Sequence, residues 1–318
     1  MKRWMKYLAA LAACGVVAAC NDSSSPQTGN LAQVATDQGF NDLVAAATKA
    51  DLVSTLTDPA VSLTVFAPTD AAFDSLAGSL GFADGPALVA ALDGPTLAKI
   101  LTYHILGSKK TAADLSAGGP TEATLYDFPD TTPAALTLDF TAGVKITDAA
   151  LTQATVVTAD VPASNGVIHA VDKVLVPPGV LNVVQMAQVN PIFSSLVGAL
   201  VSANLTSTLS GAGPFTVFAP TNDAFTAASA IVASLDTASL TTVLTYHVLP
   251  EQVLAADIPF GTPVGTVAGS DKTITINAGT PPTITDSTDT PADIVATDVR
   301  ASNGVIHVID KVLIPTLP

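Results

Sequence analysis

The chain repeats itself, and that duplication limits its possible folds more than any other feature. Thr64-Val65-Phe66-Ala67-Pro68-Thr69-Asp70-Ala71-Ala72-Phe73 returns as Thr216-Val217-Phe218-Ala219-Pro220-Thr221-Asn222-Asp223-Ala224-Phe225. Leu101-Thr102-Tyr103-His104-Ile105-Leu106 returns as Leu244-Thr245-Tyr246-His247-Val248-Leu249. Asp160-Val161, Ala163-Ser164-Asn165-Gly166-Val167-Ile168-His169 and Asp172-Lys173-Val174-Leu175 return between Asp298 and Leu313. Three blocks in one order, with extra residues around the Tyr-His block of the first copy, mean one duplicated domain with loop insertions. A period of roughly 140 residues is a whole domain, far longer than the ~20–45 residues of a solenoid repeat. The 318 residues therefore divide into two units, each large enough to bury its own core. Pro177-Pro178-Gly179 marks the boundary as a short stiff hinge.

Each block carries a local signal. Thr-Val-Phe is a β-branched and aromatic strand that the proline stops, and Thr69 or Thr221 then offers its hydroxyl as a helix cap. Asp70 and Asp223 suit the first helical turn, and Pro68 with Phe73, like Pro220 with Phe225, fits a hydrophobic staple. Asn165-Gly166 and Asn303-Gly304 predict tight turns. The strands after them are apolar on both faces, as expected of a strand buried on both sides. Helical spacing is expected over Phe40–Thr57 and Pro191–Leu209, and in short helices over Leu97–Thr102 and Leu240–Thr245 feeding a Tyr-His strand. Ala135–Phe140, Val144–Thr147, Thr155–Thr158, Thr273–Asn277 and Thr283–Asp286 read as strands. Helices lead each copy and strands close it, so the expected class is α+β rather than an alternating parallel sheet.

The N-terminus reads as an export signal. Lys2, Arg3 and Lys6 precede an apolar run from Leu8 to Ala19, too short to span a bilayer as a stable helix. The run ends in Val17-Ala18-Ala19-Cys20, which resembles a lipoprotein processing site. Residues 1–20 are thus expected to be a lipoprotein signal peptide, with Cys20 lipidated and residues 21–29 a flexible tether. Domain one is then 30–177 and domain two 179–318. Cys14 and Cys20 are the only cysteines, so no disulfide holds either domain. The expected location is the cell envelope, at the outer membrane or cell surface, with release outside the cell as the alternative and contact to the membrane through the lipid anchor only. Net charge is −15 and no Lys/Arg cluster interrupts it, which argues against nucleic-acid binding.

The blocks resemble the fasciclin-like domain family, whose hallmark segments they match in order, twice, across nearly everything from about residue 30 to 315. The resemblance implies two tandem domains, each a wedge of β-strands with helices packed alongside, in an extracellular or surface protein. Animal members act in adhesion and matrix assembly, and their Tyr-His segment and a nearby Asp-Ile pair have been proposed as integrin contacts. The matching positions are Tyr246, His247, Asp257 and Ile258 in the second copy. In the first copy they are Tyr103 and His104 and, less closely, Asp114-Leu115.

Catalytic chemistry finds little support. His104, His169, His247 and His307 all lie inside repeated blocks, two per copy and far apart, without the spacing of a metal site. A histidine hydrogen-bonded to backbone within an apolar strand is the expected state. No Gly-x-Ser-x-Gly and no phosphate-cradling glycine loop occurs. The three aspartates of Asp286–Asp293 lack the pattern of a Ca²⁺ loop, so a solvated loop is expected there. The chain thus reads as a non-enzymatic surface lipoprotein without a cofactor. It would contact a surface or matrix protein or a polysaccharide. The alternative is a carrier of a small apolar ligand, a pigment or lipid, in a groove between the domains. The 48% hydrophobic content motivates that second reading.

Overall fold

The computed structural model describes residues 28–129 and 133–317. The export signal, Cys20 and most of the tether lie outside these residues. The first copy runs α1 (Leu31–Asp37), α2 (Asn41–Lys49), α3 (Val53–Thr57), β1 (Leu63–Pro68), α4 (Asp70–Ser79), α5 (Gly85–Ala91), α6 (Gly94–Tyr103), β2 (Ile105–Leu106), α7 (Ala112–Gly118), β3 (Thr121–Ala123), β4 (Ala135–Asp139), β5 (Lys145–Thr147), β6 (Gln153–Ala163) and β7 (Gly166–Val171). The second begins with α8 (Val183–Val189), a 3₁₀ turn at Pro191–Phe193, α9 (Ser194–Ser202), α10 (Thr206–Leu209), β8 (Phe215–Pro220), α11 (Asn222–Ala227), α12 (Ser229–Ser234), α13 (Thr237–Tyr246) and β9 (Val248–Leu249). It ends with a 3₁₀ turn at Ala255–Asp257, then β10 (Pro263–Thr266), β11 (Gly269–Asn277), β12 (Thr283–Thr285), β13 (Ala292–Ala301) and β14 (Gly304–Ile309).

Each copy is one seven-stranded sheet, in the order β2-β1-β7-β6-β5-β4-β3 and β10-β11-β12-β13-β14-β8-β9. The pairing of β1 with β7, and of β8 with β14, is parallel, and every other pairing is antiparallel. The ends nearly meet. Leu125, just past β3, donates its N–H to Ile105 of β2 at 2.8 Å, and Val267, just past β10, donates to Val248 of β9 at 2.8 Å. Each sheet is therefore nearly closed, which protects its edges. Helices cover one side, and the fold is α+β as the repeat pattern implies.

The expected caps form. Thr69 accepts the Ala72 N–H and Thr221 the Ala224 N–H. Strands β7 and β14 are buried along their whole length. Three expectations need correction. The helical stretches break at Asp51 (φ 58°) and Asn204 (φ 55°), a left-handed conformation that Asp and Asn tolerate, giving α2 with α3 and α9 with α10. Tyr103 and Tyr246 end helices, and His104 and His247 cap them, so no Tyr-His strand exists. The hairpin turn is Ser164–Asn165, because Ala163 pairs directly with Gly166. Gly166 instead opens β7 where a Cβ would stand 2.3 Å from the Leu63 carbonyl oxygen, and Gly304 repeats this at 2.1 Å from Phe215. These glycines admit the neighbouring parallel strand.

The boundary segment is held by both copies. Pro177 and Pro178 are buried, and Tyr126 donates its hydroxyl to the Pro178 carbonyl at 3.1 Å. Gly179 adopts φ 72° and donates to the Arg300 carbonyl at 3.0 Å. The Arg300 guanidinium lies 5.3 Å from the centre of the Phe128 ring. Among the described residues no single helix is long and apolar enough to cross a membrane.

Candidate functional site

The repeated histidines sit at two places in each copy, where strands meet the chain that crosses them. His104 caps α6, and its Nδ1 lies 2.7 Å from the Ile100 carbonyl oxygen. Its Nε2 accepts the Leu175 N–H at 2.8 Å. His247 repeats both bonds, with Val243 at 2.8 Å and Leu313 at 2.8 Å. A carbonyl requires a donor and an amide requires an acceptor, so each ring is neutral with its proton on Nδ1. Burial pushes both imidazoles down to about 4, against a smaller opposing effect of the carbonyl bond.

The second pair of histidines lies on β7 and β14. His169 Nε2 donates to the Lys110 carbonyl at 3.0 Å, and its Nδ1 accepts the Asp160 N–H at 3.2 Å. His307 does the same with Val253 at 2.9 Å and Asp298 at 3.4 Å. Burial lowers the His307 pKa. Asp160 and Asp298 hold φ of 60° and 59° at register shifts of β6 and β13, which explains why an Asp recurs there. Each imidazole also faces its register neighbour across the parallel pair, Phe66 or Phe218, at 5.6 Å between ring centres. Every histidine ring nitrogen thus has a backbone partner. Among the described residues no group of three or more His, Cys, Asp or Glu is placed to hold a metal ion.

The tyrosines are equally committed. Tyr103 is 1% exposed and donates its hydroxyl to the Ala135 carbonyl at 3.2 Å, and Tyr246 donates to Thr273 at 2.7 Å. Each ties the end of a helix to the far strands of its sheet. Burial raises both phenols, that of Tyr246 to about 12. Tyr103, His104, Tyr246 and His247 are therefore interior groups, and the folded domain does not present them to a partner. Ile258 is buried as well, as is its counterpart Leu115. Asp257 and Asp114 stay exposed, so of each Asp-apolar pair only the carboxylate faces solvent.

Asp148 was not singled out from the sequence, and Asp286 was read there only as part of a solvated loop. Asp148 accepts N–H bonds from Ala150, Thr152 and Val176, and the Thr152 hydroxyl. Burial raises its pKa to about 6 against these bonds. Asp286 holds the same place and accepts from the Ile314 N–H and from Thr288. Burial opposes its ionisation, but bonds from Thr288, Ile314 and Lys311 outweigh that and lower its pKa. Its carboxylate pairs with Lys311 at 3.1 Å and its side chain is fully buried, so it anchors the chain that follows β14 rather than lying in a solvated loop. Ile-Thr-Asp occurs at 146–148 and again at 284–286, a repeat that could have revealed both.

The two copies differ in the cavity beneath their first helices. In the first, α1, α2 and α3 enclose an apolar pocket of about 300 Å³ over β1 and β7, lined by Leu31, Leu43, Ala47, Leu56, Val65 and Ile168 among others. The equivalent space in the second, lined by Val183, Leu196, Leu200, Leu209, Val217 and Ile306, is only about 10 Å³. A separate cleft of about 320 Å³ lies between the copies, but Ser75, Ser79, Lys173 and Gln188 make it polar in part. The apolar space is thus inside domain one rather than between the domains.

The fasciclin domain matches residues 38–177 and 191–315. The chain belongs to the fasciclin-domain family. Protein sll1483 of Synechocystis is 42% identical over 142 residues, covering 43% of this chain and 75% of that protein. Transforming growth factor-beta-induced protein ig-h3 of Sus scrofa is 33% identical over 167 residues, covering 49% of this chain and 22% of that protein. A solved FAS1 domain pair from the insect cell adhesion molecule fasciclin I covers 90% of this chain and 95% of that chain, at 19% identity and a TM-score of 0.42. The shared blocks of the two fasciclin copies coincide with the caps, the imidazole bonds and the parallel strand pair described above.

Proposed function

We propose that this protein is a non-enzymatic surface lipoprotein that makes adhesive or matrix contacts through its two fasciclin domains. Membership of a family whose domains occur in cell-adhesion and matrix proteins, ig-h3 and periostin among its relatives, carries the reading. The saturation of every histidine nitrogen by backbone supports it, since the most reactive side-chain type in the folded part is already spent on packing. The partner is a surface or matrix protein or a polysaccharide, met by exposed groups such as Asp257. Two domains on one chain let weak contacts add by effective concentration. Lipidation of Cys20 would hold both at the envelope, with residues 21–29 as spacer.

Cells lacking the gene are expected to attach less to surfaces and to form thinner biofilms, with recovery on re-expression. Unchanged attachment would overturn the reading. Mass spectrometry of the mature N-terminus tests the anchor separately: a diacylglyceryl Cys20 is expected, and an unmodified N-terminus would remove it.

A further inference from the structure

The pocket of domain one exists because of two small residues. In sequence order α1 and α2 of the first copy match α8 and α9 of the second, with Asn30 matching Asn182 as a helix cap and Phe40 matching Phe193. Ala32 then stands where the second copy has Val184, and Ala47 where it has Leu200. Leu200 is buried, and with Val184 it fills the space that the first copy keeps. The frames agree elsewhere, because Asp51 and Asn204 break the following helices with the same left-handed residue.

The lining also has a chemical signature. No Asp, Glu, Lys or Arg contributes to it. His104 does, but both of its nitrogens are bonded to backbone and the ring is neutral, so it adds an apolar edge. Polar groups that line it, Asn30, Gln33, Thr36, Thr48 and Thr57, are uncharged and belong to the surrounding helices, their ends and their caps. A charge brought into such a site would lose its hydration without gaining a partner, so an ionised ligand is disfavoured. The volume is about twice the ~150 Å³ of a cavity that holds benzene and lies at the lower end of small-molecule sites.

From this we infer that domain one binds an uncharged aliphatic molecule of about ten to twelve carbons, its chain among Leu31, Leu43, Ala47 and Leu56 and its polar end among the threonines and amides of the rim. Domain two does not bind it. The site is independent of the adhesive role and of lipidation at Cys20.

The test uses the purified protein with 1-decanol as probe and decanoate as its charged counterpart. Calorimetric titration is expected to give one decanol site per chain, and saturating decanol to raise the melting temperature. Decanoate at pH 7.5 is expected to bind at least tenfold more weakly. Ala47→Leu installs the side chain that the second copy already accommodates, and is expected to weaken decanol at least tenfold while the protein stays folded. If that variant does not fold, Ala32→Val serves instead, since Val184 occupies the same place in the second copy. Leu200→Ala, which opens the space in domain two, is expected to add a second site. Absence of decanol binding, equal binding of decanoate, or binding unaffected by filling the pocket would each overturn the inference.

Discussion

The Nε2 atom of His104 accepts the backbone N–H of Leu175 at 2.8 Å, and in the second copy His247 holds Leu313 in the same way at 2.8 Å. One imidazole thus joins the end of the helix that leads into β2 or β9 to the chain that follows β7 or β14. The other ring nitrogen is used within its own helix, so the ring cannot rotate without losing a buried bond.

Replacing His104 or His247 by Ala leaves a buried N–H without an acceptor and opens a cavity. The expected loss is about 3 kcal/mol at each site, from an unsatisfied amide and a large-to-small change together. Urea unfolding of each variant measures it. A loss under about 1 kcal/mol would show that the rings do not lock the strand exit.

Acid should destabilise the protein before the surface carboxylates are fully protonated. His104 and His247 titrate near 4 when folded, against 6.5 for a free imidazole. Between those values the unfolded chain binds protons that the folded chain refuses, so stability falls as pH drops from 6.5 towards 4 and the loss levels off below. Asp148 acts in the opposite sense. Its folded value near 6 exceeds the ordinary 3.8, so the folded chain holds an extra proton there and gains stability on acidification through 6. His104 and His247 outweigh Asp148 by one proton, and the lowered His307 adds in the same direction, so the net decline is at least about 1.4 kcal/mol per pH unit where these groups titrate. Urea midpoints at pH 7, 5.5 and 4.5 should fall in that order, and a flat series would contradict the buried neutral histidines.

Asn165 and Asn303 tie distant segments together from within their hairpin turns. Asn165 Oδ1 accepts the Leu31 N–H at 2.9 Å, and its amide donates to the Leu56 and Asp58 carbonyls at 3.0 Å each. Asn303 repeats this with Val183, Leu209 and Gly211. Asn165→Ala breaks three bonds and should cost about 2–4 kcal/mol. It should also loosen α1 and α3, which hydrogen exchange of their amides would detect; unchanged protection there would refute the tie.

Glycine substitutions should divide by location. Gly304→Ala places a methyl 2.1 Å from the Phe215 carbonyl oxygen and must push the parallel strands apart, with an expected cost of more than about 2 kcal/mol. Gly198 lies exposed within α9 with open space around it, so Gly198→Ala should stabilise by about 0.5–1 kcal/mol. Thermal melts of both variants check the opposite signs, and equal effects would defeat the argument.

Much of the fold was legible because its signals are local. Thr69 caps because Thr-Asp follows a proline-ended strand, and the apolar run Val167–Val171 announces a strand covered on both faces. Short elements such as α7, β3 and β10 were not anticipated, because a few residues carry too little periodicity and their place is set by neighbours in the sheet. The candidate site residues were found by repetition, but repetition marks what the fold needs as readily as what a partner touches. The Tyr-His pairs proved interior, and Asp148 escaped notice while Asp286 was assigned to a solvated loop, although Ile-Thr-Asp is itself repeated.

The sequence by itself determined the duplication, the α+β class, the strand-to-helix junctions and the family, since each rests on residues close together in the chain. Only the tertiary structure decided that His104 meets Leu175, that Gly166 and Gly304 admit a parallel neighbour, and that domain one keeps a pocket its twin fills. Those depend on distances between segments far apart in sequence, where the exchange of one alanine for leucine alters a volume that no local pattern records.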